Sequence, residues 1–503
     1  MSEREKSSFR QIIKSSALIG GSSVINVALG VLRTKVLAVL IGTEGMGLFG
    51  ALSSVVTLAS GICGMGINTS GVRQIAEAVG TQDQEKISRT ALVLRRTSLA
   101  LGILGMLAML ALCQPIAKVT FGNYDYTGAL ALLSVAVLFT QVAAGQTALV
   151  QGLRRIKDLA ALSILGATLG TICSIPIIYF FRERGIVPFL ITVAGLSVAS
   201  SWWYARKVRL QSMPVPFSLV WAEARILLTM GVAFMASGMM SNAVAYFTRA
   251  MIIRQLGLDA AGLYQASYSL AGVYVGFVLN AMGADYYPRL TAVAQTNSSV
   301  NRMVNEQTEA ALLMAIPGIL GTLTFAPWVI HLLYSAAFLP AVDILRWQIL
   351  GILGRIIIWP IGFVMLAKGR SAAFFLTELA ANIAHCTFIW FGMKLFGLSG
   401  LGMAFFGLYL VHGPIVFFVV RRLSGFSWNK EVLLLGIASV LATAAVFAMT
   451  VSGLDVIWST IGGSLLTGLA ALYAAQKMAK RSGFDGLVPA ARGLMAKVGF
   501  KTK

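Results

Sequence analysis

Three arginines stand inside long apolar runs of this sequence: Arg33, Arg249 and Arg355. A guanidinium is always charged and presents a planar fork of donors that fits phosphate or carboxylate oxygens two at a time, so the chemistry open to these positions is anion recognition. Arg33 and Arg249 each follow an asparagine, Asn26 and Asn242, by seven residues. That spacing is close to two helical turns, and each pair therefore shares one helical face. Either the two arginines line a polar path and grip phosphate, or they snorkel toward the outer interface of a membrane. Lys35 points to another side of the same helix, where snorkelling is the better reading. Arg355 lies about twelve residues from the cytoplasmic end of its run, roughly 18 Å in at 1.5 Å per residue. It either faces a cavity or sits in a buried ion pair. The carboxylate for such a pair is Glu378, which with Asn382 and His385 forms one polar stripe at i, i+4 and i+7. The stripe can bind sugar hydroxyls, relay a proton, or hold Arg355 in place. Asp343 and Arg346, at i and i+3, are read as pairing with each other.

No grouping reads as catalytic. Paired carboxylates, an HExxH helix, a nucleophile elbow and a phosphate-cradling glycine loop do not appear, so neither an enzyme nor a bound cofactor is expected. Cys63, Cys113, Cys173 and Cys386 all fall in apolar runs without paired spacing. They read as small buried hydrophobes rather than as zinc ligands or disulfides, and no metal is expected.

The elements that must carry these residues are membrane helices. The chain has 503 residues, 57% hydrophobic and only 12% charged, far from a soluble composition. Apolar runs of about 18 residues or more recur along it, each able to cross a hydrocarbon core of roughly 30 Å as a helix. Six spans are placed between Ser15 and Tyr204, six between Ile226 and Val420, and two between Val432 and Ala475. The basic N-terminal stretch precedes a run that is too long for a cleaved signal and reads as a retained first span. The net charge of +21 need not mean nucleic acid. With a cytoplasmic N-terminus, about three quarters of the Lys and Arg residues fall on the cytoplasmic side, which is the positive-inside pattern. Both termini are then cytoplasmic, and the basic tail suits anionic inner-leaflet lipids.

A weak internal repeat runs at an offset of about 216 residues. Asn26 and Arg33 match Asn242 and Arg249; Gly42-Thr43-Glu44-Gly45-Met46-Gly47-Leu48-Phe49 matches Gly257-Leu258-Asp259-Ala260-Ala261-Gly262-Leu263-Tyr264; Gly66 to Arg73 matches Gly283 to Arg289; and Gln151-Gly152-Leu153-Arg154 matches Ala367-Lys368-Gly369-Arg370. Six spans per half is an even number, so the halves are parallel repeats, the class that places substrate between them. The fold class expected is an all-α polytopic membrane protein of about fourteen transmembrane helices: two six-helix bundles in a parallel repeat plus two extra C-terminal helices. The corresponding regions are a bundle over 1–210, a cytoplasmic linker over 211–225 with Pro214 and Pro216, a second bundle over 226–425, two additional helices over 426–476, and a basic cytoplasmic tail over 477–503.

The stretch from Lys35 to Ala38 leading into Gly42-Thr-Glu-Gly45-Met-Gly47-Leu48, the Arg73-Gln-Ile-Ala76 after the second span, and Gln151-Gly152 at the end of the fourth resemble the polysaccharide-transporter branch of the multidrug/oligosaccharidyl-lipid/polysaccharide exporter superfamily. Within it the likeness is to O-antigen and related bacterial flippases, over about residues 10 to 425. The resemblance implies a pair of six-helix bundles, alternating access, and a cargo of undecaprenyl-pyrophosphate-linked oligosaccharide moved across the bacterial inner membrane. Membrane lipids and the polysaccharide polymerase machinery are the implied partners, with no nucleic acid. Many members have twelve spans, so the extra pair is a departure. The peptidoglycan-precursor flippases have fourteen, but their Arg- and Pro-bearing signature around the second span is missing here. A multidrug antiporter of the same superfamily, and a membrane polymerase or ligase acting on the same lipid-linked sugar, are the competing readings. Reporter fusions at Lys430 and after Lys477 are both expected to report cytoplasm; a periplasmic signal at either would overturn the span count or the orientation.

Overall fold

The computed structural model describes residues 3–208, 216–452 and 455–482. Most of the basic tail, and the part of the linker before residue 216, lie outside the described residues. Fourteen α-helices run through the described residues: α1 (Glu3–Gly64), α2 (Ile67–Gly80), α3 (Gln84–Ala111), α4 (Cys113–Phe121), α5 (Thr127–Gly152), α6 (Ile156–Phe181), α7 (Ile186–Ala205), α8 (Phe217–Ala292), α9 (Asn297–Leu333), α10 (Ala341–Ala367), α11 (Ser371–Phe396), α12 (Ser399–Ser424), α13 (Lys430–Val451) and α14 (Val456–Ser482). No strand occurs among them. Among the described residues, ten helical stretches are long and apolar enough to cross a membrane. Their outer faces carry exposed Leu, Ile and Phe side chains, such as Leu104, Phe391, Leu441 and Leu465. Water would penalise such faces, whereas lipid tails accept them, because a helix satisfies its own backbone polar groups. The chain is an all-helical, multi-pass membrane protein.

Two helices are too long for one crossing. α1 has 62 residues and would run about 93 Å unbroken. α8 has 76. Each is interrupted at a glycine, α1 at Gly42 (φ 66°) and α8 at Gly257 (φ 86°). Positive φ is open to glycine at little cost, and both breaks fall at matched positions of the sequence repeat.

The chain divides into two compact units, residues 1–265 with 333–337 and residues 266–332 with 338–503. The division falls inside α8, so packing and the sequence repeat do not share a boundary. In the first unit the segment of α1 after Gly42 lies antiparallel to the segment of α8 before Gly257. Gly66 abuts Gly231, Gly61 faces Asn242, and Gly47 abuts Leu258. Around the two breaks the contact becomes reciprocal. A Cβ on Gly47 would collide with the Leu258 carbonyl, and a Cβ on Gly262 would collide with the Thr43 carbonyl. Thr43 and Gly47 are the repeat counterparts of Leu258 and Gly262, so the two contacts are images of one another. Thr43 Oγ1 also donates to Asp259 Oδ1 at 2.5 Å. Farther along this unit, Ile75, Leu94, Leu149 and Leu227 form a core joining α2, α3, α5 and α8.

In the second unit Tyr286, Val304, Ile361 and Val420 gather the end of α8 with α9, α10 and α12. Asn301 and Asn305 of α9 hold the connection between α12 and α13. Asn301 Nδ2 donates to the Ser424 carbonyl (3.1 Å) and Asn305 Nδ2 to the Ser427 carbonyl (3.1 Å), while the Asn429 amide donates to Asn305 Oδ1 (2.9 Å). Asn429 in turn caps α13 by accepting from the Val432 amide.

The reciprocal glycine contact has a direct test. Gly47→Ala and Gly262→Ala are each expected to destabilise the detergent-solubilised protein by about 1–3 kcal/mol, because the obstructing atoms are backbone and must move. The double substitution should cost less than the sum, since one displacement serves both. Unchanged thermal unfolding of both single variants would exclude the contact.

Candidate functional site

The breaks at Gly42 and Gly257 fix where the first two arginines lie, nine and eight residues earlier on their helices. Their surroundings differ. Arg249 is buried, at 8% exposure. Its Nε and Nη2 donate to Gln265 Oε1 at 3.0 and 2.9 Å, and its Nη1 donates to the Ala245 carbonyl at 2.9 Å. Gln265 extends across Gly50, whose added Cβ would meet the same Oε1 at 2.7 Å. Gly50 is the repeat counterpart of Gln265. The first arm therefore has no amide to offer, and Arg33 is held differently. It is half-buried, with its guanidinium 5.9 Å from the centre of the Phe189 ring. Among the described residues no hydrogen bond or ion pair occupies its donors. The asparagines also diverge. Asn26 Nδ2 donates to Ser163 Oγ of α6 at 2.7 Å, whereas Asn242 faces Gly61.

Arg355 is exposed on α10 between buried Leu353 and Ile356. An exposed guanidinium amid buried neighbours is the pattern of a helix presenting one polar position to an open space. Within electrostatic reach of it stand Glu378 of α11 and Tyr409 of α12. Glu378 and Arg355 do not form a close ion pair among the described residues. The nearest cationic candidate to Glu378 is His412 of α12, with Nε2 3.7 Å from Oε1. The rest of the α11 stripe turns inward: Asn382 Nδ2 donates to the Glu378 carbonyl one turn back at 2.7 Å, and His385 is buried with its ring against Phe405. Asp343 and Arg346 face each other at 3.6 Å.

Sequence reading had passed over Gln265, His412 and the pair formed by Glu309 and Lys477. Glu309 Oε1 and Lys477 Nζ are 2.8 Å apart, with side chains 4% and 22% exposed. The signal for His412 was present, since it is one of three histidines and stands within an apolar helix, the criterion that selects Arg355. Between α9, α13 and α14 lies a cavity of about 570 Å³, lined by Leu312, Ile316, Leu434, Leu466, Ala470 and Tyr473 among others, with Lys477 and Glu431 in its wall. No group of three or more metal-ligating side chains is found among the described residues.

The family model for polysaccharide biosynthesis proteins matches residues 12–293, more than half of the chain. The chain belongs to the polysaccharide biosynthesis protein family. Among curated relatives, the lipid III flippase of Escherichia coli (strain K12) is 22% identical over 428 residues, covering 82% of this chain and 99% of that protein. The same protein of Shigella flexneri matches equally. Among solved structures, an inward-facing multidrug resistance MATE family transporter of the MOP superfamily aligns with a TM-score of 0.68 at 14% identity, over 80% of this chain and 98% of its own. The lipid II flippase MurJ, in an inward closed conformation, aligns with a TM-score of 0.63 at 16% identity, over 93% and 99%. The chain thus shares the fold of these two transporters, and the greater share of it is matched by the lipid II flippase.

The ion pair beside the cavity generates a stability prediction. Lys477→Met takes from buried Glu309 the cation that faces it and is expected to cost near the lower end of about 3–5 kcal/mol, given the partial exposure of Lys477. Adding Glu309→Gln should recover most of that loss in the same thermal unfolding assay. A double variant as unstable as the single would show that the pair does not act as a unit.

Proposed function

We propose that this chain is a flippase that carries an undecaprenyl-pyrophosphate-linked oligosaccharide, an O-antigen unit or a similar repeat, from the cytoplasmic to the periplasmic leaflet of the bacterial inner membrane. The observation that carries the reading is Arg355, an exposed guanidinium in the middle of an apolar helix of a polysaccharide biosynthesis family member. A pyrophosphate pays tens of kcal/mol by Born estimates to enter hydrocarbon unaccompanied. Its path must therefore supply cations, and a planar fork meets two phosphate oxygens at once. In the first unit Arg33 keeps its donors available, and in the second Arg355 does. Arg249 belongs to the same matched pair as Arg33, but its bonds to Gln265 give it a supporting place. Glu378, Asn382 and His385, with Asn26 and Asn242, are the polar residues assigned to the sugar and to the surroundings of the phosphate.

The relatives described as lipid III and lipid II flippases support a lipid-linked cargo. The apolar cavity beside α13 and α14 supports the lipid half of that cargo, because it offers hydrocarbon-lined room and few hydrogen-bonding groups. The reading takes fourteen crossings with both termini in the cytoplasm, counting each broken helix, α1 and α8, as two. A transporter of cationic drugs wants uncompensated acidic groups, whereas Glu378 is faced by Arg355 and His412. The sign favours an anion.

The test is transport. Arg33→Ala and Arg355→Ala are expected to leave lipid-linked oligosaccharide in the inner leaflet of cells while the protein inserts normally. Each lost charge-assisted contact is worth about 1.5–3 kcal/mol, or roughly ten- to more than a hundredfold in head-group affinity. Lysine at either position should restore only part, since a point charge replaces a two-point fork. Normal flipping by a variant with Arg33, Arg249 and Arg355 all changed to Ala would defeat the cationic mechanism.

A further inference from the structure

In the second unit three neighbouring helices bring together one guanidinium, one carboxylate and one imidazole. Arg355 of α10 lies within electrostatic reach of Glu378 of α11, and Glu378 Oε1 lies 3.7 Å from His412 Nε2 of α12. His412 is 8% exposed, and that nitrogen has no hydrogen-bond partner. A buried ring nitrogen without a partner carries a desolvation penalty that a hydrogen bond would relieve. Glu378 is placed to relieve it. At 3.7 Å the two groups are beyond hydrogen-bonding distance by less than an ångström, so a proton arriving on either is shared after a small side-chain shift.

We propose that Glu378 and His412 form a proton-accepting pair that sets how much of the charge on Arg355 is available to a phosphate. The inference rests on the reading of Arg355 as a phosphate ligand and deepens it. Without the extra proton the trio holds a guanidinium cation, a carboxylate and a neutral imidazole, and its net charge is zero. With the proton the net charge is +1, whether carboxylate or imidazole holds it, because coupled groups titrate as a pair. The sign is thus independent of which residue takes the proton. Falling pH releases Arg355 from its carboxylate and tightens anion binding; rising pH restores the compensation and loosens it. Other titratable groups around the pair do not reverse this. Tyr409 of α12 is within electrostatic reach of both Arg355 and Glu378, and Tyr268 of α8 within reach of Tyr409; both are phenols. His385, on the same helix as Glu378, turns its ring to Phe405.

The sign also limits what the pair can do for transport. Linkage is reciprocal, so a site that binds phosphate better when protonated binds protons better when loaded. Proton and phosphate are then companions in this site, and the pair does not exchange an entering proton for a departing anion. A membrane potential, negative inside, remains able to push an anionic head group outward.

The experiment is equilibrium binding of inorganic pyrophosphate to the full chain in lipid nanodiscs between pH 8 and pH 6. The probe ionises in this range, but its contribution is common to all variants and cancels in their differences. Relative to Glu378→Gln, the wild-type chain is expected to gain affinity on acidification by up to about tenfold per pH unit, the limit for one linked proton. Glu378→Gln should bind at least as tightly as wild type at pH 8, because its Arg355 is already released. His412→Gln should displace the midpoint of the wild-type pH dependence. If Arg355→Ala binds as wild type does, the phosphate reading of Arg355 falls and the linkage with it. If Arg355→Ala weakens binding while Glu378→Gln keeps the wild-type slope, the phosphate reading stands and the proton pair is overturned. A midpoint unmoved by His412→Gln would remove His412 from the pair. Monodisperse elution of each variant separates these outcomes from misfolding.

Discussion

A charge in hydrocarbon must be answered by another charge, by hydrogen bonds or by an opening to water, and the polar residues of this chain are arranged by that requirement. Arg249 is answered by Gln265 and a backbone carbonyl. Arg346 is answered by Asp343, and Glu309 by Lys477. Arg355 stands apart from these. Its neighbours on α10 are buried while it is exposed, and the carboxylate near it makes no close pair with it. A guanidinium open to water rather than to a protein partner keeps its donors free for an anion. Its place in the middle of α10, among buried apolar neighbours, is the reason to look for an anion there.

The repeat explains how one chain came to hold both a satisfied arginine and an available one. Two arms with matched sequences need a close backbone approach where they meet, and small residues provide it: Gly47 against Leu258, and Gly262 against Thr43. Those contacts constrain both copies equally and hold the matched breaks together. Position 50 and its counterpart 265 escape that constraint. Glycine at the first leaves space, glutamine at the second fills that space, and the glutamine amide takes Arg249. Arg33 is left with the face of Phe189, which attracts a cation but accepts no conventional hydrogen bond. One change of residue divides a duplicated pair into a strut and a candidate ligand.

Much of this was legible in the sequence, and what was not has a common cause. Apolar runs, their lengths and the positive-inside bias are local or compositional properties, so helices and membrane character could be read directly. The repeat paired the stretches that begin at Gly42 and Gly257, but it carried no sign of the close approach of Gly47 to Leu258 and of Gly262 to Thr43. Asn382 and His385 were read as a stripe from their spacing, but spacing does not say that the amide of Asn382 bonds to its own helix or that His385 faces a ring. Arg249 and Arg33 looked equivalent because the residue that separates them, Gln265, lies 16 residues from one and on a different segment. Glu378 matches Arg355 by charge, whereas the titratable group within 4 Å of its carboxylate is His412 on the next helix. Interhelical partners carry no periodic signal. A rule about single residues, that any ionisable group in an apolar run needs a reason, would have found His412 without coordinates, whereas Glu309 ends the polar stretch Asn305-Glu306-Gln307-Thr308-Glu309 and carries no such signal.

The last two helices follow the same logic from the opposite direction. α13 exposes Leu433, Leu434, Ile437 and Leu441, and hydrophobic burial gives little preference for one docking angle in a lipid solvent. Polar anchors at the edge supply that preference. Asn301 and Asn305 grip the turn before α13, and Glu309, on the same helix α9, takes Lys477 of α14. With both ends pinned by hydrogen bonds and charge, the middle need not be filled. Residues 438, 439, 442 and 470 are alanine or serine, too small to close the space, and a cavity of about 570 Å³ remains. An unfilled apolar cavity is unfavourable unless something occupies it. In a membrane hydrocarbon chains are always at hand, so the helices can be held apart at little cost.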